Sequence, residues 1–131
     1  MANTLCHGFS IGSFGCIALL DGFEDISPAQ VLFENAEPDE LSAALARYGT
    51  SLTGSVQAMC TCLLIRTEQQ TVLVDTGLGR LEPTGGHLMD ALREAGAAPR
   101  DIDLVILSHA HGDHIAGNTQ PDGSLVFPNA H

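Results

Sequence analysis

Lysine is missing from this chain altogether, and its basic charge is confined to five arginines set against sixteen acidic residues. The formal net charge of -11 at neutral pH repels a phosphate backbone instead of collecting it, so nucleic acid is excluded as an expected partner. The excess acid reads as solvated surface. Long apolar runs are also lacking: the hydrophobic stretches are short and interrupted, below the roughly 20 residues a spanning helix needs, and no membrane partner is expected. From Leu5 to Leu20, Gly, Ser and Cys break the apolar stretch and no positive region precedes it. No secretory signal is legible there, and a cytoplasmic location is the expectation. Internal repeats and low-complexity linkers are absent. A length of 131 residues, 44% hydrophobic and 16% charged, fits one globular domain.

Cysteine is sparse as well. Cys6, Cys16, Cys60 and Cys62 lack the density and context of a disulfide scaffold, so they are expected reduced and mostly buried. Within residues 56–66, period two puts Cys60 and Cys62 on one face with Ala58 and Leu64. That makes a packed strand face the expectation, ahead of a Cys-x-Cys metal pair.

The remaining patterning alternates strands with helices. Gly15 to Asp21 is an apolar run predicted to be a strand that stops at an Asp21-Gly22 turn, followed by a loop around Pro28. Leu41, Ala44, Leu45 and Tyr48 recur at helical spacing, predicting a short amphipathic helix over Asp39 to Tyr48 that Gly49 ends. Residues 56–66 and 71–75 read as a hairpin joined by the polar turn Thr67 to Gln70. After a Gly-rich loop, Leu88 to Ala95 reads as a helix stopped by Gly96. Leu104 to Ser108 is an apolar strand without alternation, expected to be buried on both faces. A Pro121-Asp122-Gly123 turn precedes a short predicted strand, Ser124 to Phe127.

Directly after the Leu104 to Ser108 strand comes His109-Ala110-His111-Gly112-Asp113-His114, three imidazoles and a carboxylate in six residues. Imidazole and carboxylate are ligands that zinc accepts, and a loop leaving a strand end can turn several inward together. His109 and His111, two apart, share a direction in extended backbone, whereas Asp113 and His114 diverge. One pair can serve one ion and the other pair a second. The competing reading is a solvated polar loop. His87 reads as an exposed first-turn helix residue, with substrate contact as the alternative, and His7 is assigned no role.

The pattern His-x-His-x-Asp-His, with Asp75-Thr76-Gly77 closing an upstream strand, resembles the signature of the metallo-β-lactamase superfamily. Asp21-Gly22, Gly117-Asn118 and Phe127-Pro128-Asn129-Ala130 look most like its lactonase and organophosphate-hydrolase branch. The resemblance implies an α/β fold of the αββα sandwich type with a mixed sheet and flanking helices, present here as the N-terminal half only. It implies His109 and His111 as ligands of one ion, Asp113 and His114 as ligands of a second, and Asp75 as an acceptor that orients ligands without bonding metal. It implies two zinc ions in the complete site, with iron or manganese compatible with the same ligands, and hydrolysis of an ester-like bond in a small-molecule substrate. In that chemistry a metal-activated hydroxide attacks a lactone or phosphotriester while Asp113, as the catalytic residue, holds the nucleophile.

The departures from the family pattern are as specific. Ala116 stands where relatives more often have Gly. Relatives complete the site with a further His, a bridging Asp and another His from the second half of the fold; beyond His114 this chain has Asp122, already explained by its turn, and the terminal His131. We therefore expect one incomplete domain over residues 1–131, a fragment of a longer hydrolase, with exposed apolar sheet that favours poor solubility or homo-oligomers. Three other classes fit parts of the sequence. One is a non-catalytic metal-binding module. Another is an iron-binding oxidoreductase on the same fold. The third is an aspartic protease built on Val74-Asp75-Thr76-Gly77, which leaves the histidines unexplained.

Overall fold

The computed structural model describes residues 4–81 and 83–131. One five-stranded mixed sheet organises the chain, in the spatial order β1-β2-β3-β4-β5. β1 (Cys6–Ile11) and β2 (Phe14–Ile26) form an antiparallel hairpin in which Ile11 pairs with Phe14 across a two-residue turn. β3 (Val56–Arg66) and β4 (Thr71–Val74) form the expected second hairpin, with Arg66 opposite Thr71. Its turn is closed by Thr67, whose hydroxyl oxygen accepts the N–H groups of Gln69 and Gln70 at 3.2 and 2.9 Å. β4 then pairs in parallel with β5 (Leu104–Ile106), which requires a crossover, and α2 (Leu88–Glu94) supplies it.

The chain divides into two compact units, Met1–Gly22 with Met59–His131, and Phe23–Ala58. In the larger unit, α2 turns Leu88, Ala91 and Leu92 onto the sheet residues Leu19, Cys62, Leu64 and Leu73, and Ile102 and Phe127 complete that core. The helix ends where the N–H of Gly96 bonds the carbonyl of Arg93 and that of Ala97 bonds Leu92, a closure that satisfies carbonyls left open by the last turn. In the smaller unit a 3-10 turn, Ala29–Phe33, and α1 (Pro38–Arg47) bury Ala29, Leu41 and Leu45 against Leu52 and Val56. Pro38 opens α1, with Asp39 and Glu40 in its first turn and Arg47 in its last, each placed to complement the helix dipole.

Several expectations need correction. Asp21-Gly22 is not a turn: β2 runs through it to Ile26, and Asp21 is fully buried. β1 is a strand that the sequence pattern does not predict, although His7 to Ile11 and Phe14 onward flank a Gly-Ser pair. Five of its six residues are exposed, so no buried face declares it. Tyr48 does not continue the apolar stripe of α1; it caps the helix with non-helical dihedrals and is 85% exposed. β5 stops at Ile106 and is an edge strand, so Ile106 and Leu107 remain 45% and 42% exposed where burial on both faces was expected. Ser124 to Phe127 forms no strand, because Leu125 makes only an isolated bridge with Thr119.

Cys6, Cys16 and Cys62 are free thiols, as expected, with Cys16 and Cys62 buried. Cys62 is enclosed in the core, and burial pushes its thiol up, with the nearby carboxylates of Asp21 and Asp75 adding to the effect. Among the described residues no helix is long and apolar enough to cross a membrane.

Two outcomes are expected. Leu92→Ala should cost about 2–5 kcal/mol by chemical denaturation, since it leaves a cavity in a fully packed core. A loss below about 1 kcal/mol would show that α2 does not anchor the sheet. A thiol reagent on the native chain should leave Cys16 and Cys62 unlabelled until denaturant is added, and prompt native labelling of Cys62 would contradict its burial.

Candidate metal centre

The parallel pairing of β4 with β5 brings two strand ends side by side. Asp75 follows Val74 at the end of β4, and Ser108 and His109 follow β5. The Asp75 backbone takes a left-handed conformation, φ 61°, and its N–H bonds the carbonyl of Ile106 at 2.8 Å. This turns the carboxylate toward the loop beyond β5. There Oδ1 accepts the N–H of Ser108 at 2.7 Å, while Oδ2 accepts the Ser108 hydroxyl at 2.8 Å and lies 2.8 Å from His114 Nδ1. Burial alone would raise this carboxyl, but the bonds from His114 and Ser108 outweigh it and hold the group below its ordinary value.

An ionised Asp75 fixes the protons around it. Facing a carboxylate, His114 Nδ1 carries a hydrogen, so that in the neutral ring Nε2 keeps its lone pair, whereas in the imidazolium Nε2 donates to Asp113 Oδ2. Ser108 spends its one hydrogen on Asp75, so His109 Nδ1, 3.0 Å from the Ser108 oxygen, is the donor of that pair and its Nε2 is also bare. Both bare nitrogens meet another donor atom. His109 Nε2 lies 3.2 Å from His111 Nδ1, and His114 Nε2 lies 3.2 Å from Asp113 Oδ2. Two ligand atoms on a tetrahedral zinc with bonds near 2.0–2.1 Å stand about 3.3 Å apart, so each pair fits two corners of such a site.

The structure thus brings together all five residues singled out by the sequence: His109, His111, Asp113, His114 and Asp75. It joins the four candidate ligands in two pairs and ties Asp75 to His114. Among the described residues, no group of three or more His, Cys, Asp or Glu side chains is placed to hold one ion. The rings are close, with His109 and His114 centroids 4.0 Å apart and those of His109 and His111 4.7 Å apart. His109 and His111 face solvent, whereas Asp113 and His114 are half-buried on α3 (Gly112–Ile115).

The loop after β4 clamps this short helix from below. Thr76 donates both its N–H and its hydroxyl to the carbonyl of His114, at 2.8 and 3.1 Å. The approach is so close that a Cβ at Gly117 would run into the Thr76 carbonyl, and one at Gly77 into the side chain of Asp21. The sequence pattern makes Asp21 a turn residue. It is instead an enclosed carboxylate beneath this loop, a role that an Asp-Gly dipeptide disguises. His87 is exposed at the start of α2 and makes no contact with the histidine cluster in the described interactions. Asp122 is held by its own turn, accepting from Ser124, and His131 hydrogen-bonds Asp103 and Val105 through its backbone.

A mixed sheet carrying a histidine and aspartate loop at the end of a parallel strand defines a class of metallo-hydrolase-like folds. Comparison narrows it. The metallo-beta-lactamase superfamily pattern matches residues 56–120. AidC, a dizinc quorum-quenching lactonase solved with a product, superposes with a TM-score of 0.87 at 29% identity over 98% of this chain and 44% of its own. The hydrolase AbOPH of the beta lactamase superfamily gives 0.86 at 27% identity over 99% of this chain and 44% of its own. The exodeoxyribonuclease WalJ of Streptococcus pneumoniae is 34% identical over 53 residues, 40% of this chain and 18% of that protein. The chain belongs to the metallo-beta-lactamase superfamily. It spans less than half the length of these relatives.

The lowered Asp75 carboxyl has a pH signature. A group that ionises lower when folded contributes stability that is complete above the ordinary carboxylate range and is lost as pH falls through the folded value. Asp75→Asn should therefore flatten the loss of stability of the metal-free chain between about pH 6 and about pH 3, followed by urea denaturation. Parallel curves for the two proteins would remove Asp75 from the linkage.

Proposed function

We propose that this chain carries half of the metal centre of a dinuclear, zinc-dependent hydrolase acting on an ester-like bond in a small molecule, such as a lactone or a phosphotriester. The observation that carries the reading is the pair of 3.2 Å contacts, His109 Nε2 to His111 Nδ1 and His114 Nε2 to Asp113 Oδ2, at the spacing of two ligands on one zinc. His109 Nε2 and His111 Nδ1 would hold one ion, and Asp113 Oδ2 and His114 Nε2 the other. When bound, such ions supply Lewis acidity and an acidified water at neutral pH. Asp75 keeps the proton on His114 Nδ1 and, through Ser108, on His109 Nδ1, so that neither ring turns its N–H toward the metal. Asp113 binds and orients the attacking group. The similarity to a dizinc lactonase and to a hydrolase supports this class.

In this reading the remaining ligands come from outside the 131 residues, from further chain or from a second copy. Exposed Ile106, Leu107 and Leu125 support self-association. The likeness to an exodeoxyribonuclease favours a phosphodiester as a second reading. The absence of lysine and the net charge of -11 weigh against so anionic a substrate, and against binding to an anionic membrane surface. A module that binds metal without turnover is the remaining alternative, since holding an ion needs ligands but no open position.

Elemental analysis of the purified chain beside His109→Ala/His111→Ala, with lactone, phosphotriester and single-stranded DNA hydrolysis measured in parallel, separates these readings. Two ions per chain, one of them lost in the double variant, with turnover of the small esters is the expected result. Asp113→Asn should then lower kcat by at least about tenfold with little change in KM, because it holds a group that reacts and not one that merely binds. Metal without turnover would establish the binding module, and no metal in any preparation would sink the hydrolase reading.

A further inference from the structure

Asp21 is a buried carboxylate for which the proposed chemistry has no use. It is fully enclosed, and no cationic side chain pairs with it among the described residues. A charge in that position is costly unless hydrogen-bond donors replace the water it has lost. Both oxygens are so engaged. Oδ2 accepts the N–H of Leu78 at 2.7 Å and Oδ1 the N–H of Leu88 at 2.8 Å, while the Asp21 carbonyl accepts the N–H of His87 at 2.9 Å.

These contacts lead to the histidine loop in three steps. The Leu78 amide fixes the loop that follows β4. Gly77 lies against the carboxylate with no room for a side chain. Thr76, next in line, grips the carbonyl of His114 through two hydrogen bonds. Asp75 holds the ring of the same histidine from above. His114 is therefore located by its ring and by its backbone separately, and the second restraint is anchored on Asp21.

We infer that Asp21 is a positioning residue for the metal centre: it seats the Thr76 grip that sets where His114 stands. The inference rests on the metal reading given above. A purely structural role is the competing account, since Asp21 also secures the start of α2 through Leu88 and His87. The two accounts differ in what a conservative change does. Asp21→Asn keeps the volume but offers one acceptor and a donor that faces an N–H, so one of the two grips is lost. Under the structural account only stability falls. Under the positioning account His114 moves and metal affinity falls with it.

The experiment compares wild type, Asp21→Asn and, as a matched loss of stability away from the loop, Leu92→Ala. Zinc affinity of the 131-residue chain is measured by competition with a chromophoric chelator, and the ring signals of His114 are followed by NMR in the metal-free chain. Asp21→Asn should weaken zinc binding by about ten- to a hundredfold, the range seen when residues that orient ligands are changed, and should shift the His114 signals. Leu92→Ala should do neither. Wild-type zinc affinity and unmoved His114 signals in a folded Asp21→Asn chain would overturn the inference. If that variant fails to fold, Gly77→Ala, which presses on the carboxylate from the loop side, replaces it with the same two criteria. If the wild-type chain takes up no zinc, the metal reading fails on its own account. The metal-free signals then decide: a shift in Asp21→Asn absent from Leu92→Ala upholds the link, and no shift overturns it.

Discussion

The Asp75 carboxylate is the interaction on which the candidate site depends. It sits where β4 ends, and it reaches the backbone and hydroxyl of Ser108 where β5 ends and the ring of His114 beyond. Two strand ends that pair in parallel are thereby tied again at their tips. The same bonds put a hydrogen on the ring nitrogen that faces the carboxylate. A carboxylate accepts only, so the proton positions on His114 and, through Ser108, on His109 follow from its charge. Geometry and protonation are therefore set by one group, and the left-handed backbone at Asp75 is the local strain that aims it.

Below this runs a second layer of constraint made of main-chain groups. The loop from Thr76 to Leu78 touches α3 on one side and Asp21 on the other, at distances that only glycine permits at positions 77 and 117. Close backbone approach of this kind makes a loop rigid without a core of its own. Of the residues that would handle metal, His109 and His111 are exposed and Asp113 and His114 half-buried, whereas Asp75, Thr76 and Asp21, which hold them, are enclosed. A site so divided can meet solvent and ligand while its geometry is fixed from the protein interior.

Much of this was legible from the residues. The alternation in residues 56–66, the hairpin turn at Thr67 and the helix from Leu88 to Gly96 carry strong periodic or capping signals, and the histidine loop is dense enough to identify from its residue types. What escaped has a common cause. β1 lacks a buried face, the exposure of β5 depends on its position in the sheet, and the burial of Asp21 depends on a helix and a loop far along the chain. Each is decided by tertiary context that a local window does not contain. The Asp21-Gly22 dipeptide reads as a turn by composition, and tertiary hydrogen bonding overrides that preference.

The strand order β1-β2-β3-β4-β5 repeats the order of the chain itself. Every strand therefore finds its partner in the one made just before it, and none must wait for a later segment to be slotted between existing neighbours. Loop-closure entropy is met in short turns for the β1-β2 and β3-β4 hairpins and in two longer steps, residues 27–55 before β3 and the crossover through α2 before β5. A polypeptide arranged this way can assemble from its N-terminal edge while it is still being synthesised. The histidine loop follows β5, so the two strand ends that position it are made before it, while Phe127, which completes the core, and His131, which bonds beside β5, are made after.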